Sequence, residues 1–90
     1  MDLAIIPAPG HTPGHIAVHD MSAGVLVVGD AVAASKGGML NMPSTTEDLP
    51  RARASLGSLA QLSFDTLLPG HGFAIIGGAW EALSDYIAET

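Results

Sequence analysis

Ala8-Pro9-Gly10-His11-Thr12-Pro13-Gly14-His15 is the stretch that organises this 90-residue chain. Two Pro-Gly pairs within eight residues forbid a helix and interrupt a strand, so the segment is a loop. Before it, the apolar run Leu3-Ala4-Ile5-Ile6 ends at Pro7 and reads as a buried strand. After it, His15-Ile16-Ala17-Val18-His19 reads as a second strand. Proline fixes one torsion and glycine permits positive φ, so each pair makes a sharp turn that projects the next side chain from a rigid loop. Here that side chain is a histidine both times, and the tripeptide returns at Pro69-Gly70-His71. Three of the four histidines therefore stand behind Pro-Gly.

Working outward, Asp20 to Gly24 reads as a hairpin turn, and Val25-Leu26-Val27-Val28 as a third strand. That run is β-branched and apolar on both faces, which predicts a central strand ending at Gly29-Asp30. Residues 35 to 45 lack a period, contain Gly37-Gly38 and Pro43, and read as a surface loop. A helix is expected to begin between Thr46 and Asp48, capped by one of Ser44, Thr45, Thr46 or Asp48, with Pro50 in its first turn. Its apolar stripe is Leu49, Ala52, Leu56 and Leu59, reaching Ser63. Phe64 to Leu68 reads as a fourth strand closed by Pro69-Gly70. A last helix spans about Gly78 to Ala88, with Trp80, Leu83 and Ile87 on its buried face. The order is β-β-β-α-β-α, an α/β chain.

Chemistry-bearing residues follow three of these strands: His11 after the first, Asp30 after the third, His71 after the fourth. Crevices at the carboxyl ends of strands are the usual ligand sites of layered α/β sheets. Two imidazoles and one carboxylate form a donor set that suits Zn²⁺ and also Fe²⁺ or Mn²⁺. On spacing alone, three unrelated polar loop residues are an equal alternative. His15 and His19, four apart on a strand, share a face. His15 reads either as a structural ring or as a residue beside the site, on the substrate side or behind a ligand. His19, before the hairpin turn, reads as a surface histidine. Thr12 reads as a cap of backbone donors after the turn, or with His15 as a residue beside the site, on the substrate side or behind a ligand. Trp80 reads as core, and Met39 and Met42 as loop residues beyond Asp30.

The segment Ala8 to His15 resembles the signature of the metallo-β-lactamase fold hydrolases, a superfamily that includes glyoxalase II and the acyl-homoserine lactonases. The resemblance continues at Val27-Val28-Gly29-Asp30, similar to the strand that ends in the family's metal-bridging aspartate, and at Leu67-Leu68-Pro69-Gly70-His71-Gly72, similar to its last metal-ligand motif. The motifs stand in family order and span nearly the whole chain. The resemblance implies that His11 is a ligand of a first metal, Asp30 the carboxylate bridging two metals, and His71 a ligand of the second. It implies one or two Zn²⁺ ions, with Fe²⁺ or Mn²⁺ as alternatives. It also implies that a metal-activated water attacks an ester, thioester, lactone or amide of a small-molecule substrate.

One family motif, H-x-H-x-D-H, is absent from these residues. That motif supplies most ligands of both metals, so residues 1–90 correspond to the C-terminal β-β-β-α-β-α half of the family's αββα sandwich. Three expectations follow: a piece of a full metallo-hydrolase, inactive by itself; a half-domain completed by a second copy or a separate N-terminal half across an apolar sheet face; or a non-catalytic module that keeps the motifs around a sealed core. Composition favours an incomplete surface. Charged residues are 13% of the chain and hydrophobic ones 48%, against roughly 25% charged in ordinary soluble domains. Only Lys36, Arg51 and Arg53 are basic, with nine acidic residues and a net charge of −6, so no patch exists to neutralise nucleic-acid phosphates. Without cysteine there is neither a disulfide scaffold nor a thiolate metal site. The start Met1-Asp2-Leu3 lacks the basic region of a signal peptide, and Val25 to Ala34, the longest apolar stretch, is broken by Gly29 and Asp30. A cytoplasmic protein without membrane partners is expected.

Overall fold

The computed structural model describes residues 2–89. The two strands flanking the Pro-Gly loop, β1 (Leu3–Pro7) and β2 (Ile16–Asp20), pair antiparallel, with Ile5 opposite Val18. A tight turn leads into β3 (Val25–Gly29), also antiparallel to β2. In this turn the Asp20 carboxylate accepts from the Ser22 hydroxyl at 2.8 Å and from the Ala23 N–H at 3.2 Å. A small ladder of β4 (Ala33–Ala34) and β5 (Leu40–Asn41) follows, then α1 (Leu49–Leu59), which carries the chain over to β6 (Thr66–Pro69). β6 lies parallel to β3, β7 (Ile75–Ile76) pairs antiparallel with β6, and α2 (Ala79–Glu89) closes the described chain. The main sheet runs β1-β2-β3-β6-β7, with β3 at its centre as its sequence predicts.

Helix α1 starts where its cap requires. The Asp48 carboxylate accepts the Arg51 N–H at 3.2 Å, and Pro50 sits in the first turn, where no intrahelical partner is lost. Of its expected stripe, Ala52, Leu56 and Leu59 are buried but Leu49, at the helix start, is 38% exposed; Leu56 and Leu59 share one core with the sheet residues Leu26, Val28 and Leu67 and with Leu83 of α2, while Ala52 lies under Gly10. Each fully buried leucine contributes about 1.5–3 kcal/mol of apolar transfer free energy.

Several expectations need correction. α1 ends at Leu59 rather than Ser63, because the chain tightens into turns there: Gln61 N–H bonds Ser58 O, and Leu62 N–H bonds Leu59 O. Segment 35–45 contains a strand, β5, within what reads as plain loop, and β7 also escapes the sequence reading; strands of two residues carry no period to detect. Trp80 is 42% exposed rather than core, with its indole N–H donating to Ala60 O at the end of α1. Leu83 is buried and Ile87 partly so, as expected. Met39 is exposed, whereas Met42 packs against the core. His19 is 4% exposed, not a surface residue. It lies opposite Leu26 on the helix-covered face, and its Nε2–H donates to Ser63 O at 2.8 Å.

Among the described residues nothing covers the other face of the sheet. Leu3, Ile5, Ile16, Val27 and Ile76 project from it, with Ile5 71% and Ile76 82% exposed. Among the described residues no helix is long and apolar enough to cross a membrane.

Candidate metal centre

Asp30 and His71 are brought together by strand pairing. β3 and β6 are parallel neighbours, Gly29 pairs with Pro69, and Gly70 N–H donates to Gly29 O at 2.7 Å. Asp30 is therefore set beside Gly70, and His71 follows one residue on. His71 Nδ1 lies 2.6 Å from Asp30 Oδ1, a direct hydrogen bond at the open edge of the site, where the His71 side chain is 81% exposed.

His11 arrives from the other direction. Its loop is closed at the base by Ala8 N–H to His15 O at 2.8 Å, and fastened to the start of α1 by three bonds: Asp48 N–H to Gly10 O at 2.8 Å, Glu47 N–H to His11 O at 3.2 Å, and the Ser55 hydroxyl to Pro9 O at 2.7 Å. This places His11 Nε2 3.5 Å from Asp30 Oδ2. The two carboxylate oxygens of Asp30 thus face two different imidazoles. The bond from His71 holds the Asp30 carboxyl below the usual carboxylate range, against a smaller opposing effect of partial burial, and the neighbouring imidazoles reinforce the shift.

The donor set fits a divalent ion of the zinc class: two imidazoles and a carboxylate whose oxygens point to separate sides. Among the described residues, however, no three His, Asp or Glu side chains surround one point as a finished cage. His71 is bonded directly to Asp30, and an ion held by these two residues would have to displace that bond.

His15 and Thr12 also find places. The His15 ring stands edge-on to His11 with centroids 5.8 Å apart, and its Nε2 lies 3.1 Å from Asp30 N and 3.0 Å from Val28 O. Thr12 acts through its backbone, not its hydroxyl: its carbonyl accepts from Gly10 N–H at 3.1 Å and His15 N–H at 3.3 Å. Sequence reasoning missed Ser55, which looks like one more polar residue on a helix until the loop is seen resting on it.

Comparison with known proteins identifies the family and the fold. A sequence model of the metallo-β-lactamase superfamily matches residues 2–71. The chain is 37% identical over 84 residues to the probable metallo-hydrolase YflN of Bacillus subtilis (strain 168), covering 80% of this chain and 32% of YflN. Among solved structures it superimposes on a metallo-β-lactamase family protein of Thermus thermophilus, TTHA1429, with TM-score 0.71 and 27% identity, over 97% of this chain and 29% of that one. The fold also matches the archaeal superfamily protein ST1585 of Sulfolobus tokodaii, with TM-score 0.73 and 20% identity over 97% of this chain and 32% of that one. It matches the metallo-β-lactamase FIM-1 of Pseudomonas aeruginosa in its mono-zinc form, with TM-score 0.71 and 24% identity over 97% of this chain and 39% of FIM-1. The chain therefore spans about a third of the length of these relatives. By the family match and the fold together, the chain belongs to the metallo-β-lactamase superfamily, a family of metal-dependent hydrolases.

Proposed function

We propose that residues 1–90 supply the C-terminal half of a metallo-hydrolase site, with His11, Asp30 and His71 as metal ligands and zinc as the first candidate ion. The observation that carries this reading is the divided carboxylate: Asp30 Oδ1 faces His71 and Oδ2 faces His11, the arrangement a bridging ligand needs. When bound, the ion supplies Lewis acidity, which activates water and polarises the carbonyl of an ester, thioester, lactone or amide. The chain's own residues give that chemistry its geometry. The β3–β6 pairing sets Asp30 beside His71, and the fastened Pro-Gly loop holds His11 on the opposite oxygen. Three donors fall short of the ligand set of the family's dinuclear sites, so the isolated chain is inactive.

A specific observation favours the form in which the site is completed from outside these residues. Leu3, Ile5, Ile16, Val27 and Ile76 leave an apolar face that a second sheet would cover, supplied by an N-terminal half or by another copy. This open face counts against the non-catalytic module with a sealed core.

Zinc titration of the ¹⁵N-labelled chain, followed at the histidine rings, tests the ligand assignment. His11 and His71 are expected to shift together and His19 to stay, with Asp30→Asn weakening the response at least tenfold. A titration that leaves His11 and His71 unmoved overturns the metal reading. Zinc-dependent turnover of a lactone or thioester by the purified chain, lost in Asp30→Ala, overturns the inactivity.

A further inference from the structure

His15 Nε2 has two neighbours, and a neutral imidazole nitrogen cannot serve both. It either donates to Val28 O at 3.0 Å or accepts from Asp30 N–H at 3.1 Å. The surroundings decide between them. Val28 O already accepts the Ala31 N–H at 3.1 Å. The Asp30 N–H has no other partner among the described residues, because the pairing of β3 with β6 shifts register after Val27 and ends at Gly29. An orphaned N–H costs more than a carbonyl with one of its two lone pairs unused. The turn also makes room for the ring: Gly29 has φ +56°, and a Cβ there would stand 2.9 Å from His15 Cε1.

We infer that His15 is the positioning residue of Asp30: in its Nδ1–H tautomer it accepts the Asp30 N–H and fixes the carboxylate where the strand ladder has stopped. It replaces the missing sheet partner with a side-chain acceptor, and so sets where the Asp30 oxygens point. The consequence for metal affinity rests on the reading of Asp30 as a ligand; the hydrogen bond itself does not.

Nitrogen NMR on the intact ¹⁵N-labelled chain separates the two. Expected are a His15 Nε2 resonance in the range of an unprotonated ring nitrogen, and a through-hydrogen-bond scalar coupling between it and the Asp30 amide nitrogen. A protonated Nε2 without that coupling overturns the inference. In the zinc titration, His15→Phe, which keeps a ring and loses the acceptor, is expected to weaken the His11 and His71 response about 10–100-fold. His15→Gln, which restores an acceptor, recovers most of it. An unchanged titration in His15→Phe overturns the positioning role. Coupling present in a wild-type chain that ignores zinc confirms the hydrogen bond and refutes the ligand reading of Asp30 instead.

Discussion

Gly10→Ala tests whether the His11 loop is seated on α1 as described. Gly10 has φ +140°, a conformation L side chains rarely adopt, and it packs directly against the helix. A Cβ there would lie 2.5 Å from Ala52 Cβ and closer still to Ala52 Cα and N. Ordinary carbon contacts are about 3.5–4.0 Å, so loop or helix must retreat by more than an ångström. Backbone strain of this kind costs about 1–3 kcal/mol, and overpacking against an immobile neighbour about 1–3 kcal/mol more. The sum, about 2–6 kcal/mol, is large beside the roughly 5–13 kcal/mol expected for the whole chain. With a urea m-value near 1 kcal/mol/M for so small a domain, the midpoint falls by at least about 2 M, or the folded baseline is lost. The overlap is with backbone atoms of Ala52, so Ala52→Gly in the same chain does not restore stability. A Gly10→Ala midpoint within about 0.5 M of wild type, or full rescue by Ala52→Gly, refutes the seating.

Two further outcomes follow from local polar groups. Thr46 Oγ1 is buried with no hydrogen-bond partner among the described residues, so Thr46→Val, which keeps the shape and removes the hydroxyl, is expected to stabilise by about 1 kcal/mol in urea unfolding; a destabilised variant would show that the hydroxyl is paired or hydrated. The Ser22 hydroxyl holds the exposed Asp20 carboxyl below its usual range, with help from the Ala23 N–H. A depressed carboxyl stabilises the fold above its unfolded pKa of about 3.9, and that contribution is lost as pH falls through the folded value. Carbon-detected titration should find Asp20 low in the wild type and raised in Ser22→Ala; identical titrations in both would refute the role of the hydroxyl.

What could be read from the sequence was whatever is written in local chemistry. Pro-Gly-His at two strand ends and Gly-Asp at a third marked the turns that carry the candidate ligands, because proline and glycine act on the backbone whatever the tertiary context. Pro50 marked the first turn of α1 for the same reason, while the cap, open in sequence among Ser44, Thr45, Thr46 and Asp48, is Asp48. His19 was unreadable because β2 carries apolar or small residues on both faces. Alternation could not say which face the helices would cover, and the larger Ile16 and Val18 went to the bare side. Trp80 was misread because helical spacing places it near the core without revealing the Ala60 carbonyl that draws its indole to the rim. Ser55 was invisible because its partner is a loop carbonyl 46 residues earlier.

The three candidate ligands are held by causes of unequal strength. Parallel neighbours in a sheet lie about 4.8 Å apart, so once β3 and β6 pair, Asp30 after Gly29 is set beside Gly70 after Pro69, and His71 follows one residue on. The Asp30–His71 contact is in this sense a consequence of topology, and the crossover through α1 enforces it. His11 has no such guarantee. It hangs from the β1–β2 loop, and what turns it toward Asp30 is the set of bonds to Glu47, Asp48 and Ser55 at the start of α1, with Gly10 allowing the close approach. One helix therefore serves both sides of the site: its length carries the chain across from β3 to β6, and its N-terminal end, with Glu47, Asp48 and Ser55, holds the opposite candidate ligand. A change in that end of α1 is therefore expected to move His11 relative to Asp30, while the pairing of β3 with β6 keeps Asp30 near His71.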